Sequence, residues 1–364
     1  MVAPAAAARA LCPALLVLCL GGSGACDARE VPPVHPSARS RSSRVGSAVD
    51  ERVVASPQGH TLLECPRCEA VLALVDAAAL QIARERGAFG VVLVVVDVPS
   101  GGLLAVGDYG GASTRAFMPS GTLRPLVIAA AIEDGADPTL IHPSGEGWLP
   151  IGPGGIRDTE LIGDATLSQM VGRSAVVGPA LLARDQLGDG RWGHWMVAFG
   201  LMDPQELGPL PWPDWRTMLE ATGHEREMSP TAIARAYAVL GNDGRLADGR
   251  QLMHQETARA VRDMLESAVT DDGATGTSAR VPGVRVGGKT SCAWETGSFS
   301  EEQHANRSQS SYCSFVGMLP MEAPRVVLLV GLEAPIGSWE GYGAAAAPFF
   351  ARLAPQLLEL LSAP

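Results

Sequence analysis

The six residues Val91-Val92-Leu93-Val94-Val95-Val96 carry no polar side chain, and no other segment constrains the fold as much. A run that is apolar at every position has no face to turn toward water. It suits a β-branched strand covered on both sides. Its flanks agree with that reading. From Cys68 to Arg86 apolar residues recur at helical spacing and stop at Gly87, as an amphipathic helix does. Pro99-Ser100-Gly101-Gly102 makes a turn, and Leu103 to Val106 returns as a second strand. Gly121 to Asp134 predicts a helix ended by Gly135, and Glu160 to Leu240 reads as mostly helical. Within that stretch Ser229 is placed as an N-cap before Pro230, and the helix runs through Tyr237 to Gly241, before the turn Asn242-Asp243-Gly244. Val284 to Ala293, Ser311 to Leu319 and Arg325 to Leu332 predict three further strands, and Ala344 to Leu361 a closing amphipathic helix. Two strands, a helical middle, three strands and a final helix predict one α/β unit with an inserted helical lobe.

Composition narrows the function. The 364 residues are 46 % hydrophobic and 18 % charged, which describes a chain with a real core. A net charge of -11 repels phosphate backbones and argues against a nucleic-acid partner. Of 28 basic residues a single one, Lys289, is lysine, so its position is informative.

The N-terminus reads as an export signal over residues 1–25. Arg9 precedes the apolar run Leu11 to Leu20, too short to span a bilayer, and small residues lead to Cys26. Ser23-Gly24-Ala25-Cys26 resembles the lipobox of bacterial lipoproteins, apart from Ser23 in place of an aliphatic residue. Lipidation of Cys26 is the expectation; ordinary cleavage and a retained anchor are the alternatives. Residues 26–58, rich in Pro, Ser and Arg and without hydrophobic periodicity, read as a flexible tether from a membrane to a folded domain at 59–364, with the lobe at about 120–270. Export places Cys65, Cys68, Cys292 and Cys313 in an oxidising compartment. Two disulfides are expected, in any of three pairings, and neither a metal nor a cofactor is called for.

The order of segments resembles the transpeptidase domain of penicillin-binding proteins, which cross-link peptidoglycan. The matching pieces are Val94 to Ala105, Met228-Ser229-Pro230 through Tyr237 to Gly244, Asp272 to Thr277 followed by Val286 to Thr290, and Phe315 to Pro320. The resemblance covers about residues 60 to 360. It implies a five-stranded, mainly antiparallel sheet flanked by helices with an inserted all-helical lobe, the fold shared with β-lactamases.

The resemblance also exposes departures. The family attacks with a serine, helped by a lysine three residues on. The matching segment Met118-Pro119-Ser120-Gly121-Thr122-Leu123-Arg124-Pro125 puts Gly121 where the nucleophile belongs and Arg124 where the lysine belongs. Glycine has no attacking atom, and a guanidinium does not serve as a base near neutrality. The second motif keeps Ser174 and replaces its asparagine by Val176. The third keeps Lys289-Thr290, implied carboxylate binders, and has Ser291 for the usual glycine, which adds bulk beside the cleft. The implied oxyanion-hole donors are the backbone N–H groups of Gly121 and Cys292.

Several residues keep two readings. Ser120 is a displaced nucleophile or, preferentially, a helix cap. Arg124 binds an anion in the cleft or braces the scaffold. Lys289 and Thr290 bind a carboxylate or are relics in a closed cleft. Cys292 and Cys313, on strands that neighbour each other in this fold, suit a cross-strand disulfide. His194 between Trp192 and Trp195 belongs to a packed amphipathic segment rather than a ligand stack. Three functions follow: a pseudoenzyme binding a peptidoglycan stem peptide or a cell-wall synthesis protein, an acyl-transfer enzyme using Ser120, or a structural lipoprotein with a filled cleft. Burial of Lys289 and Thr290 separates the last from the first.

Overall fold

In a computed structural model, the chain is described at residues 53–56, 58–151, 154–294, 310–335 and 345–362. The expected export signal, Cys26 and most of the tether lie outside these residues. A hairpin of β1 (Val53–Ala55) and β2 (Thr61–Leu63) leads to helix α1 (Pro66–Arg86), whose C-cap Gly87 sits at φ 61°. Strands β3 (Gly90–Asp97) and β4 (Leu103–Tyr109) follow. After the lobe come β9 (Gly287–Trp294), β10 (Ser310–Leu319) and β11 (Val326–Pro335), and then the closing helix α9 (Ala347–Ser362). These five strands form one sheet in the order β4-β3-β11-β10-β9, antiparallel throughout.

The opening run of valines sits in the middle of this sheet, and its composition follows from its place. Val91, Leu93 and Val95 belong to the core formed with α1 and α9, whereas Val92, Val94 and Val96 belong to the core formed with the lobe helices. All six are fully buried. At roughly 1.5–3 kcal/mol for each large side chain removed from water, both faces reward apolar residues. Gly107 on β4 is required by close packing, because a Cβ there would lie 2.6 Å from the Val75 carbonyl oxygen of α1.

The lobe contains α2 (Arg124–Glu133), α3 (Leu167–Gly172), α4 (Val177–Leu187), α5 (Arg191–Ala198) and α6 (Asp214–Thr222), followed by α7 (Pro230–Gly241) and α8 (Gln255–Thr270). Between α2 and α3 the chain makes short strands at Ile141–His142, Trp148–Ile151, Gly154–Arg157 and Ala165–Thr166. The mostly helical reading missed the last of these. Ser229 does occupy the N-cap of α7, with Pro230 at its start, but its side chain makes no capping bond; its Oγ meets Thr231 Oγ1 at 2.7 Å. Trp192 is fully buried and His194 Nδ1 meets the Gly190 carbonyl at 3.1 Å, so this segment is packed as expected.

Both disulfides form, Cys65 with Cys68 and Cys292 with Cys313. The second joins β9 to β10 at directly opposed positions.

Candidate functional site

The turn Ser120–Thr122 leads into α2 at the point where the lobe meets β9. Ser120 has φ 44°, a left-handed conformation uncommon outside glycine. Its N–H donates to the Gly223 carbonyl at 2.8 Å. Gly223 must itself be glycine: it has φ 78°, and a Cβ there would lie 2.5 Å from the Ser120 carbonyl oxygen. This backing aims the Ser120 hydroxyl at His224 Nε2, 2.9 Å away, with the Cys292 carbonyl at 3.4 Å. The helix-cap reading of Ser120 is therefore corrected. Neither the turn nor α2 receives a side-chain capping bond, because the left-handed backbone directs the hydroxyl away from the helix end.

Gly121 is buried against β9. Its N–H donates to Ser291 Oγ at 3.1 Å, and that hydroxyl donates to the Pro119 carbonyl at 2.8 Å. A Cβ on Gly121 would stand 2.5 Å from the Thr290 carbonyl oxygen. The expectation that this N–H survives as a free oxyanion donor is corrected accordingly: the donor persists, but Ser291 occupies it. Closure of β9 onto the turn fills the space in which an attacking side chain would project.

Behind the turn lies a cationic knot. Arg124, 5 % exposed, donates through Nη1 to the carbonyls of Ser174 at 2.5 Å and Ala175 at 2.7 Å, and to Ser174 Oγ at 3.2 Å. Burial lowers its pKa to about 10, opposed by the Asp158 carboxylate, so it stays charged at neutrality. Ser174 holds a left-handed backbone, φ 59°. Its Oγ also accepts from Lys289 Nζ at 2.8 Å, and Nζ reaches the Thr290 carbonyl at 3.0 Å. Lys289, Thr290 and Ser291 are each at most 3 % exposed. Burial first, and the Arg124 charge second, hold the Lys289 amine well below its ordinary value. Thr290 Oγ1 and Thr275 Oγ1 share a hydrogen bond of 2.8 Å. Val176 supplies an apolar wall, while its backbone N–H and that of Val177 donate to Asp158 Oδ1.

What remains open is a cavity of about 190 Å³ lined by Ser120, Arg124, Ser174, Val176, Thr290 and their neighbours, including Cys292 and Ser291. The site residues read from the sequence thus come together, apart from Cys26, which lies outside the described residues. Sequence reasoning missed His224, Arg157 and Asp158. His224 follows α6 and its capping glycine, 104 positions from Ser120, and nothing local marks it. Burial, and then the Arg124 charge, lower its pKa to about 4, so it is a neutral imidazole at neutral pH.

The comparisons agree with this architecture. The family model for the penicillin-binding protein transpeptidase domain matches residues 90–354. The "Probable peptidoglycan D,D-transpeptidase PenA" of Neisseria gonorrhoeae is 28 % identical over 279 residues, covering 69 % of this chain and 45 % of that protein. The "Probable peptidoglycan D,D-transpeptidase PbpC" of Pseudomonas aeruginosa is 28 % identical over 274 residues, 69 % of this chain and 47 % of that protein. Among solved structures, the transpeptidase domain of Burkholderia pseudomallei penicillin-binding protein 3 superposes with a TM-score of 0.69 at 23 % identity, covering 81 % of this chain and 96 % of that one. The chain belongs to the penicillin-binding protein transpeptidase domain family. It spans less than half the length of these two curated relatives.

Proposed function

We propose that this chain is a non-acylating member of the family, which acts in the cell envelope by binding rather than by cross-linking. The observation that carries the reading is the seating of Ser291 Oγ on the Gly121 N–H, 3.1 Å away, at a position without any side chain of its own. Acyl transfer needs a nucleophile, a base and open oxyanion donors. At the family positions the first is absent, the second is a charged guanidinium, and of the two implied oxyanion donors the Gly121 N–H is occupied by Ser291. Burial of Lys289 and Thr290 also favours the closed-cleft reading over capture of a stem peptide. A cavity of about 190 Å³ falls below the ~300–1,000 Å³ usual for drug-sized ligands. A cell-wall synthesis protein, met by the outer surface, is accordingly the favoured partner, with Cys26 as the membrane anchor. The names of the relatives, which are peptidoglycan D,D-transpeptidases, support the envelope setting and weigh toward activity.

A second reading has one specific observation in its favour, the 2.9 Å contact of Ser120 Oγ with a neutral His224. In it, Ser120 is a displaced nucleophile and His224 its base. The electrostatics oppose it: burial, and then the Arg124 charge, hold His224 neutral and penalise the imidazolium that proton transfer would create. The test is release of D-alanine from a soluble stem peptide ending in D-alanyl-D-alanine. No release is expected. Release that Ser120→Ala and His224→Gln both abolish would establish the second reading instead.

A further inference from the structure

The wall of the cavity beside Ser120 is cationic. No carboxylate lines it, whereas Arg124 stands in its wall, Arg157 is also among its lining residues, and hydroxyls of Ser120, Thr159 and Thr290 fill much of the rest. Arg157 is solvent-exposed and stacks over the Trp148 ring at 5.3 Å, which fixes its approach. Arg124 directs Nη1 to three acceptors, yet its Nε is buried with no hydrogen-bond partner. The nearby carboxylate, Asp158, turns one oxygen to the Val176 and Val177 N–H groups and leaves the other buried and unpartnered. The Arg124 guanidinium is buried in the wall of this cavity of hydroxyls with Asp158 as its nearby carboxylate, and a further negative group in the cavity would stabilise its charge.

We infer that this cavity binds a small tetrahedral dianion, a sulfate- or phosphate-type group, held by Arg124 within and Arg157 beside it. The inference rests on the non-acylating reading of the cleft and goes beyond it, since the protein partner proposed above meets the outer surface. A cavity of about 190 Å³ has room for such a group. Hydroxyl-bearing residues line it from three sides: Ser120 in the turn before α2, Thr290 and Ser291 on β9, and Thr159 after the Gly154–Arg157 strand. Two guanidiniums supply the charge.

Binding is coupled to a proton. Lys289 lies directly behind Ser174, with Nζ bonded to hydroxyl and carbonyl oxygens and to no carboxylate. The ionisable groups surrounding this knot are Arg124 on α2, Asp158 in the lobe, His224 after α6 and Tyr237 on α7, the last a phenol kept neutral by burial. Burial first, and the Arg124 charge second, hold the Lys289 amine down; a dianion beside Arg124 offsets the second of these, so anion binding favours proton uptake at Lys289.

The experiment is calorimetric titration of the folded protein with sulfate, whose charge is constant across neutrality. Chloride holds the ionic strength constant, and two buffers of different ionisation enthalpy report protons. Saturable binding is expected, tightening as pH falls, by up to about tenfold per pH unit for one proton taken up. Arg157→Gln, at an exposed position that does not endanger folding, should weaken it by about tenfold or more. Lys289→Met should remove most of the proton uptake. Absence of saturable binding on the acid side of neutrality, or binding that both variants leave unchanged, overturns the inference. A covalent β-lactam adduct, by contrast, would strike the non-acylating reading without deciding the sulfate result, so the two failures are separable.

Discussion

Gly121, Arg124 and Ser291 act together. Glycine lets β9 close, Ser291 uses that closure to reach the Gly121 N–H, and Arg124 braces the loop carrying Ser174. Restoring a serine at Gly121 is therefore expected to destabilise the fold by about 1–3 kcal/mol, the usual cost of overpacking, as read by denaturant unfolding. It should not bring back acylation, because the Thr290 carbonyl lies 2.5 Å from the new Cβ. His224 gives a pH signature. Its pKa is lowered to about 4 from 6.5, so below 6.5 the unfolded chain binds the proton that the folded chain refuses. Stability should fall by roughly 3 kcal/mol between pH 6.5 and pH 4 on this account, and His224→Gln should flatten that limb of the unfolding profile. Lys289 works in the same direction over a higher range. Its amine is depressed from 10.5, so its burial costs stability at neutral pH and the cost fades toward pH 10.5. Lys289→Met is expected to raise the neutral-pH melting temperature; a lower one would show that the amine's hydrogen bonds outweigh the cost of its burial.

At the scale of elements, the central strand and its neighbours were legible and the lobe was less so. The run Val91–Val96 announced a strand covered on both faces because every position is buried, and Gly87 marked the end of α1 because only glycine adopts φ 61° at little cost. The short hairpins between α2 and α3 left little trace. Strands of two to four residues, such as Ile141–His142 and Trp148–Ile151, give too few alternations to establish a period. The site divides in the same way. Gly121, Arg124, Val176 and Ser291 are read from local motifs, whereas His224 and Arg157 reach the cavity only through the path of the lobe, which no spacing reports. Leu93→Ala should cost about 2–5 kcal/mol in equilibrium unfolding, because Leu93 is fully buried in the core beneath α1 and α9. A cost below 1 kcal/mol would show that the sheet is not packed on that face.

For the whole molecule, the transpeptidase fold is kept, with β9 packed against the turn before α2. Two cores lie on the two faces of the sheet, hydrogen bonds through Ser291 Oγ join β9 to the turn before α2, and the Cys292–Cys313 bridge ties β9 to β10. Among the described residues no helix is long and apolar enough to cross a membrane. The most direct check is intact-mass spectrometry after prolonged exposure to a labelled penicillin, with an acylating relative as the positive control. An unmodified mass is the expected result. A stoichiometric adduct, on Ser120 or any other residue, would contradict it.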